Sequence, residues 1–215
     1  MEILSKISEA LQKGKAKDVK VMVQEAVDSG ISVQQILNEG LLSGMNLVGI
    51  KFKNNEVYVP DVLIAARAMK AGTEILKPLL IAAGIKATGR VVLGTVKGDL
   101  HDIGKNLVGM MMEGQGLEII DAGTDVSADQ FIALAQEHDA QIICCSALLT
   151  TTMGEMKSVV EKAVEAGIRD KVTIMVGGAP VNDAFAKSIG ADIYTPDAAS
   201  AAEAAVAALK ARGIT

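Results

Sequence analysis

The feature that most constrains this fold is a change of rhythm near Thr88-Gly89. Before it, apolar residues recur only at helical spacing. After it, short β-branched runs alternate with helical stretches. Such alternation builds βαβ units, which demand a parallel sheet with right-handed crossovers. Residues 91–96, 117–121, 141–145 and 172–176 are predicted as buried strands, with 192–194 a weaker fifth. Helical stretches open near Lys105, Ala128, Thr152, Asn182 and Ala198.

Five strands in about 125 residues fit a flavodoxin-like α/β fold with strand order 2-1-3-4-5, whose strands 1 and 3 meet at the topological switch point. The loop after the first strand, with Asp99 and His101, should therefore face the loop after the third, 146–150. Upstream, Ile3, Leu4, Ile7 and Leu11 mark one helix, and Val19, Val23, Ala26 and Val27 a second that ends at Gly30. Ser32 suits the cap of a third, carrying Val33, Ile36, Leu37, Gly40, Leu41 and Met45. Pro60 suits the first turn of a fourth, through Leu63, Ala66, Met69 and Leu76. The expectation is a four-helix bundle over 1–88 and an α/β domain over 89–215. Residues 51–59 read as a long connection in the bundle, unusually apolar at Phe52, Val57, Tyr58 and Val59.

A net charge of -5, no Trp, two Tyr and three Phe argue against a nucleic-acid surface, which needs a basic stripe or stacking rings. The start carries charges where a signal peptide needs an apolar run, and no stretch approaches the roughly 20 apolar residues of a membrane span. A cytoplasmic protein is expected. Cys144 and Cys145 are adjacent in an apolar run and read as buried, unbridged thiols.

Chemistry concentrates in the loop after the first strand. There Asp99-x-His101 sets a carboxylate two residues before one of only two histidines. A neutral imidazole oriented by a carboxylate suits a metal ligand. By composition alone, a loop histidine bonded to backbone is the better reading. No other His or Cys is placed to complete a zinc site, and His138 reads as solvated on a surface helix. A metal at His101 must therefore arrive with its coordination mostly filled, as in a haem or a corrin. Gly98 to Gly104-Lys105-Asn106 narrowly misses a P-loop, which disfavours a nucleoside triphosphatase, although Lys105 could still meet a phosphate. Ser146-x-Leu148 and Thr150 follow the third strand. Gly177-Gly178 follows the fourth, where missing side chains let a ligand approach. Asp99-x-His101-x-x-Gly104, Ser146-x-Leu148 and Gly177-Gly178 form one specific constellation on three sheet edges.

That constellation resembles the cobalamin-binding module of B12-dependent methyltransferases. The similarity is close over Gly94-Thr95-Val96-Lys97-Gly98-Asp99-Leu100-His101-Asp102-Ile103-Gly104-Lys105-Asn106. It extends upstream, where Gly44-Met45-Asn46-Leu47-Val48-Gly49 through Tyr58-Val59-Pro60-Asp61 is similar to the helical cap of methionine synthase. Cap plus module resembles the stand-alone corrinoid proteins of methanol-, methylamine- and methoxy-compound:corrinoid methyltransferase systems.

The resemblance implies a cobalamin or related corrinoid held His-on and base-off. His101 would be the lower axial cobalt ligand, Asp99 would accept its N–H, and Ser146 would extend that relay. The displaced nucleotide tail would pass Gly104, Ser146, Thr150, Gly177 and Gly178. Asp102, Ile103 and Leu148 belong to the same implied cofactor-binding set. Phe52 and Val59 match cap positions over the methyl face, the second being leucine in methionine synthase. The implied role is a methyl carrier, itself non-catalytic, that takes a methyl group on Co(I) and delivers it from methyl-Co(III). Implied partners are a substrate-specific corrinoid methyltransferase, a second methyltransferase acting on a thiol or tetrahydrofolate, and a reductive activation protein. A B12-dependent sensor is the alternative, but residues 1–88 leave no basic recognition helix. A mutase subunit would lack the cap, and a flavodoxin- or response-regulator-like domain would leave the Asp99-x-His101 loop unexplained.

Overall fold

A computed structural model describes residues 2–85 and 87–214. The chain divides into two compact units, Met1–Ala87 with Gly114–Gly116, and Thr88–Glu113 with Leu117–Thr215.

The first unit is helical: α1 (Glu2–Gln12), α2 (Ala16–Asp28), α3 (Val33–Gln35), α4 (Ser43–Lys53) and α5 (Val59–Ala82). Leu4, Ile7 and Leu11 of α1 bury one stripe, as do Val19, Val23 and Ala26 of α2. Ser32 caps α3 by accepting the Gln35 N–H at 3.2 Å. Between α3 and α4, residues Ile36–Leu42 form a π-helical segment, so 33–53 is one helical run. Its buried residues repeat every four positions: Ile36, Gly40, Gly44 and Val48, beside Leu41, Met45 and Gly49. A four-residue repeat drifts around an α-helix of 3.6 residues per turn, and the wider π turns cancel part of that drift.

Two boundaries of the helical unit differ from expectation. The connection after the third helix is 54–58 rather than 51–59, because α4 continues to Lys53 and takes in Phe52. Helix α5, opened by Pro60 and by Asp61 accepting the Tyr58 N–H at 2.8 Å, passes Pro78 and ends at Ala82. Pro78 lies inside the helix and removes its bond to the Glu74 carbonyl.

The second unit holds β1 (Arg90–Val96), α6 (Ile103–Glu113), β2 (Glu118–Val126), α7 (Ala128–Glu137), β3 (Ile142–Ser146), α8 (Gly154–Glu165), β4 (Thr173–Gly177), α9 (Asp183–Ile189), β5 (Ile193–Tyr194) and α10 (Ala198–Ala211). All strand pairs are parallel, in the order β2-β1-β3-β4-β5. Val92, Val96, Ile143, Cys145, Ile174 and Val176 share one buried cluster with Phe131 of α7 and Met156 of α8. The alternate residues face the other way, where Leu93 packs under Gly109 of α6. Gly94 makes room for Phe131, since a Cβ there would lie 2.8 Å from the ring. The β1/β2 register slips twice, between Leu93 and Gly94 and between Gly94 and Val96, so β2 carries extra residues at its carboxyl end.

No helix among the described residues is long and apolar enough to cross a membrane. Cys144 and Cys145 are free and buried. Burial pushes the Cys144 thiol up to about 12 and raises Cys145 well above its ordinary value. Neither thiol is expected to react with a water-soluble alkylating reagent until the protein unfolds, which mass spectrometry across a urea series would show. Fast alkylation in native buffer would contradict that burial.

Candidate functional site

The site starts at the carboxyl end of β1. Thr95 is fully buried and its hydroxyl donates to the His101 carbonyl at 2.8 Å, which ties the loop back to its own strand. Gly98 turns the chain at φ +79. The next residue, Asp99, points its carboxylate inward with no solvent exposure.

Every acceptor position on that carboxylate is used. Oδ1 accepts the His101 N–H at 3.1 Å and meets the ring Nδ1 at 2.7 Å. Oδ2 accepts the Leu148 and Leu149 amides at 2.8 and 3.2 Å and the Thr152 hydroxyl at 3.0 Å. Burial alone would raise the Asp99 carboxyl. The bonds from the Leu148 amide, the His101 ring and amide, and the Leu149 amide outweigh it and hold the group well below the usual carboxylate range. Asp99 is therefore an anion at any physiological pH. A permanent anion against Nδ1 fixes the proton there, which leaves the Nε2 lone pair free on a ring that is 52% exposed.

The loops after β1 and β3 thus face each other, as the strand order requires. The register aligns Thr95, Ser146 and Gly177 across β1, β3 and β4 at the carboxyl edge. Around His101 the apolar side chains Leu100, Ile103, Leu148 and Leu149 stand exposed. Gly104 opens α6 beside open space: a Cβ added there would meet nothing within 4 Å. Asp102 and Thr150 are exposed on the two loops. Phe52 and Val59 lie in the other unit, where they flank the connection 54–58.

Three residues differ from the sequence reading. The hydroxyl that reaches Asp99 belongs to Thr152, not Ser146, because the chain after β3 folds back in a turn that carries residue 152 under the carboxylate. Ser146 ends β3, half-buried. Lys105 turns inward: it is buried, with its ammonium on Asp121 Oδ1. Asp121 lies low in pKa because the Lys105 and Gly123 bonds outweigh its burial. His138 caps the end of α7, half-buried, with its carbonyl accepting from Arg90 at 3.0 Å. Thr152 carries a faint signal as a hydroxyl in the Thr150-Thr151-Thr152 run, but nothing in spacing singles it out.

Among the described residues, no group of three or more His, Cys, Asp or Glu converges on one point. The donor set is one oriented imidazole on loops that also expose Leu100, Ile103, Leu148 and Leu149. Two family models match the chain, each described as a B12 binding domain, one over residues 89–206 and the other over 3–77.

The chain belongs to the B12-binding domain family.

Relatives of this B12-binding chain include a corrinoid protein of Desulfitobacterium hafniense, 41% identical over 95% of this chain and 96% of that protein. The dimethylamine corrinoid protein of Methanosarcina barkeri is 44% identical over 93% of this chain and 94% of its own. Among solved structures, the methanol:cobalamin methyltransferase complex MtaBC of Methanosarcina barkeri matches with a TM-score of 0.88 at 32% identity, covering 97% of this chain and 80% of that chain. A cobalamin-binding protein of Desulfitobacterium hafniense DCB-2 matches at 0.79 and 27%, covering 95% and 98%. The B12-binding fold, with its helical N-terminal part and five-stranded parallel sheet, is the fold of this chain.

Proposed function

We propose that this protein is a corrinoid methyl carrier, with residues 1–88 as cap and 89–215 as cofactor domain. The observation that carries the reading is the saturated Asp99 carboxylate, which holds His101 Nδ1 at 2.7 Å and leaves Nε2 as the one oriented donor in the site. That donor set fits a metal whose other positions are already filled, and the exposed Leu100, Ile103, Leu148 and Leu149 fit the broad apolar face of a macrocycle.

His101 would ligate the cobalt, with Asp99 as its orienting partner and Thr152 bonded to Asp99. Gly104, Ser146, Thr150, Gly177 and Gly178, with Asp102, would line the path of the displaced nucleotide tail. Phe52 and Val59 would be the cofactor-binding residues of the helical unit. The cofactor would supply a cobalt that takes up a methyl group from a substrate-specific corrinoid methyltransferase and yields it to a second one acting on a thiol or tetrahydrofolate. A reductive activation protein would complete the system. The relatives named for dimethylamine and for a methanol:cobalamin complex support this class of partner.

What the chain itself does is hold an imidazole in one tautomer and keep an anion behind it. An imidazole held in this way would offer Nε2 to a metal while keeping the proton on Nδ1. The test is transfer. Protein loaded with a radiolabelled methyl corrinoid is mixed with a thiol-specific corrinoid methyltransferase and its thiol. A carrier gives up its label to the thiol within the turnover time of that enzyme. Corrinoid that stays bound and methylated throughout would contradict a carrier and favour a sensor.

A further inference from the structure

We propose that Asp125 is a positioning residue that clamps the Gly98-Asp99 turn and thereby sets His101 against the cofactor. The link to cofactor ligation rests on the function proposed above.

Asp125 lies at the carboxyl end of β2, where the register slip puts Gly94 opposite Gly123 but Val96 opposite Val126. Two steps on β1 match three on β2, so one residue of β2 is looped out there. Bulges of this kind re-aim groups beside functional sites. Asp125 itself has φ +55, left-handed backbone that a non-glycine residue adopts at a cost, least for Asn and Asp.

The strained residue grips the loop twice. Its amide donates to the Asp99 carbonyl at 3.0 Å, and its carboxylate accepts the Gly98 amide at 2.7 Å. Gly98 is also left-handed, at φ +79. The two positive-φ residues therefore brace each other across the strand pair, and the turn between them aims the Asp99 carboxylate inward. The Asp99 side chain is held from the β3 side by Leu148, Leu149 and Thr152. Its backbone is held from β2 by Asp125 alone among the described residues. An aspartate here supplies both needs, an anionic acceptor and tolerance of the left-handed region.

The test compares Asp125→Gly, which keeps the backbone conformation and loses the carboxylate, with Asp125→Asn, which keeps an acceptor and the tolerance. Amide exchange of Gly98 is read in the cofactor-free protein by NMR. The absorption signature of imidazole ligation is read after reconstitution with methylcobalamin. In Asp125→Gly the Gly98 amide should exchange about tenfold faster, as loss of a charge-assisted hydrogen bond implies. Amides of α8 and α10 should be unchanged, and the imidazole-ligated share of bound cofactor should fall. Asp125→Asn should restore both readings. Unchanged Gly98 exchange and ligation in Asp125→Gly, or equal losses in both variants, would overturn the proposal. If wild-type protein retains no corrinoid, the proposed function fails, while Gly98 exchange still decides whether Asp125 holds the turn.

Discussion

Replacing Asp99 by asparagine will leave the fold largely intact and switch the tautomer of the His101 ring. The amide oxygen of the new side chain can still accept from Leu148, Leu149 and Thr152, which hold the Oδ2 side now. The amide nitrogen then faces the His101 amide and ring, where Oδ1 accepts now. Two donors cannot satisfy each other, so the ring is driven to carry its proton on Nε2 and accept at Nδ1. The nitrogen left for a metal becomes the protonated one. The cost in stability is about 2 kcal/mol, one unsatisfied donor and the loss of charge assistance. Ring nitrogen shifts in the cofactor-free protein read the tautomer directly. A wild-type tautomer in Asp99→Asn would contradict this assignment.

The same substitution separates the protein's acid limb. The Asp99 carboxyl is depressed in the folded state, so its contribution is fully present above the unfolded aspartate value of about 3.9 and is lost as pH falls below it. Unfolding free energy of the wild type should therefore drop between neutral pH and pH 3 by more than that of Asp99→Asn. Equal drops would show that the carboxylate adds nothing to folding.

Gly178→Ala should be the most destabilising small change in the α/β unit. Gly178 has φ +128, and a Cβ there would sit 1.8 Å from the Ala147 carbonyl oxygen. That contact is backbone against backbone, so no rotamer relieves it. The sheet edge must open, at a cost of about 4 kcal/mol or more. The damage should reach the site, because Ala147 directly precedes the Leu148 amide that binds Asp99 at 2.8 Å. Gly104→Ala is the control: nothing lies within 4 Å of its added carbon, and it should stay within about 0.5 kcal/mol of wild type. Urea unfolding of both variants measures the contrast. A Gly178→Ala protein as stable as Gly104→Ala would mean that the β3 and β4 ends are not packed as described. The backbone of Ala147 alone therefore requires glycine at position 178.

Where the chain is legible, a simple period makes it so. The runs at 91–96, 141–145 and 172–176 are buried strands, and strand order follows from alternation and handedness. The end of β2 is not legible. Asp121-Ala122-Gly123-Thr124-Asp125 is polar and glycine-broken, and it stays in the sheet only through two register slips that no periodicity announces. The π-helical turn at Ile36–Leu42 is hidden because residues spaced by four read as an α-helical face. At the site, Asp99 and His101 stand out because their partnership is local in sequence. Thr152 and Asp125 do not, since each reaches Asp99 or its turn only through a loop or bulge conformation.

The central claim is that His101 is the donor this site offers to cobalt. Its most direct measurement is the absorption spectrum of the protein reconstituted anaerobically with a corrinoid, beside His101→Ala. Stoichiometric binding with an imidazole-ligated spectrum that the variant loses is the expected result. Identical spectra from the two proteins would contradict it.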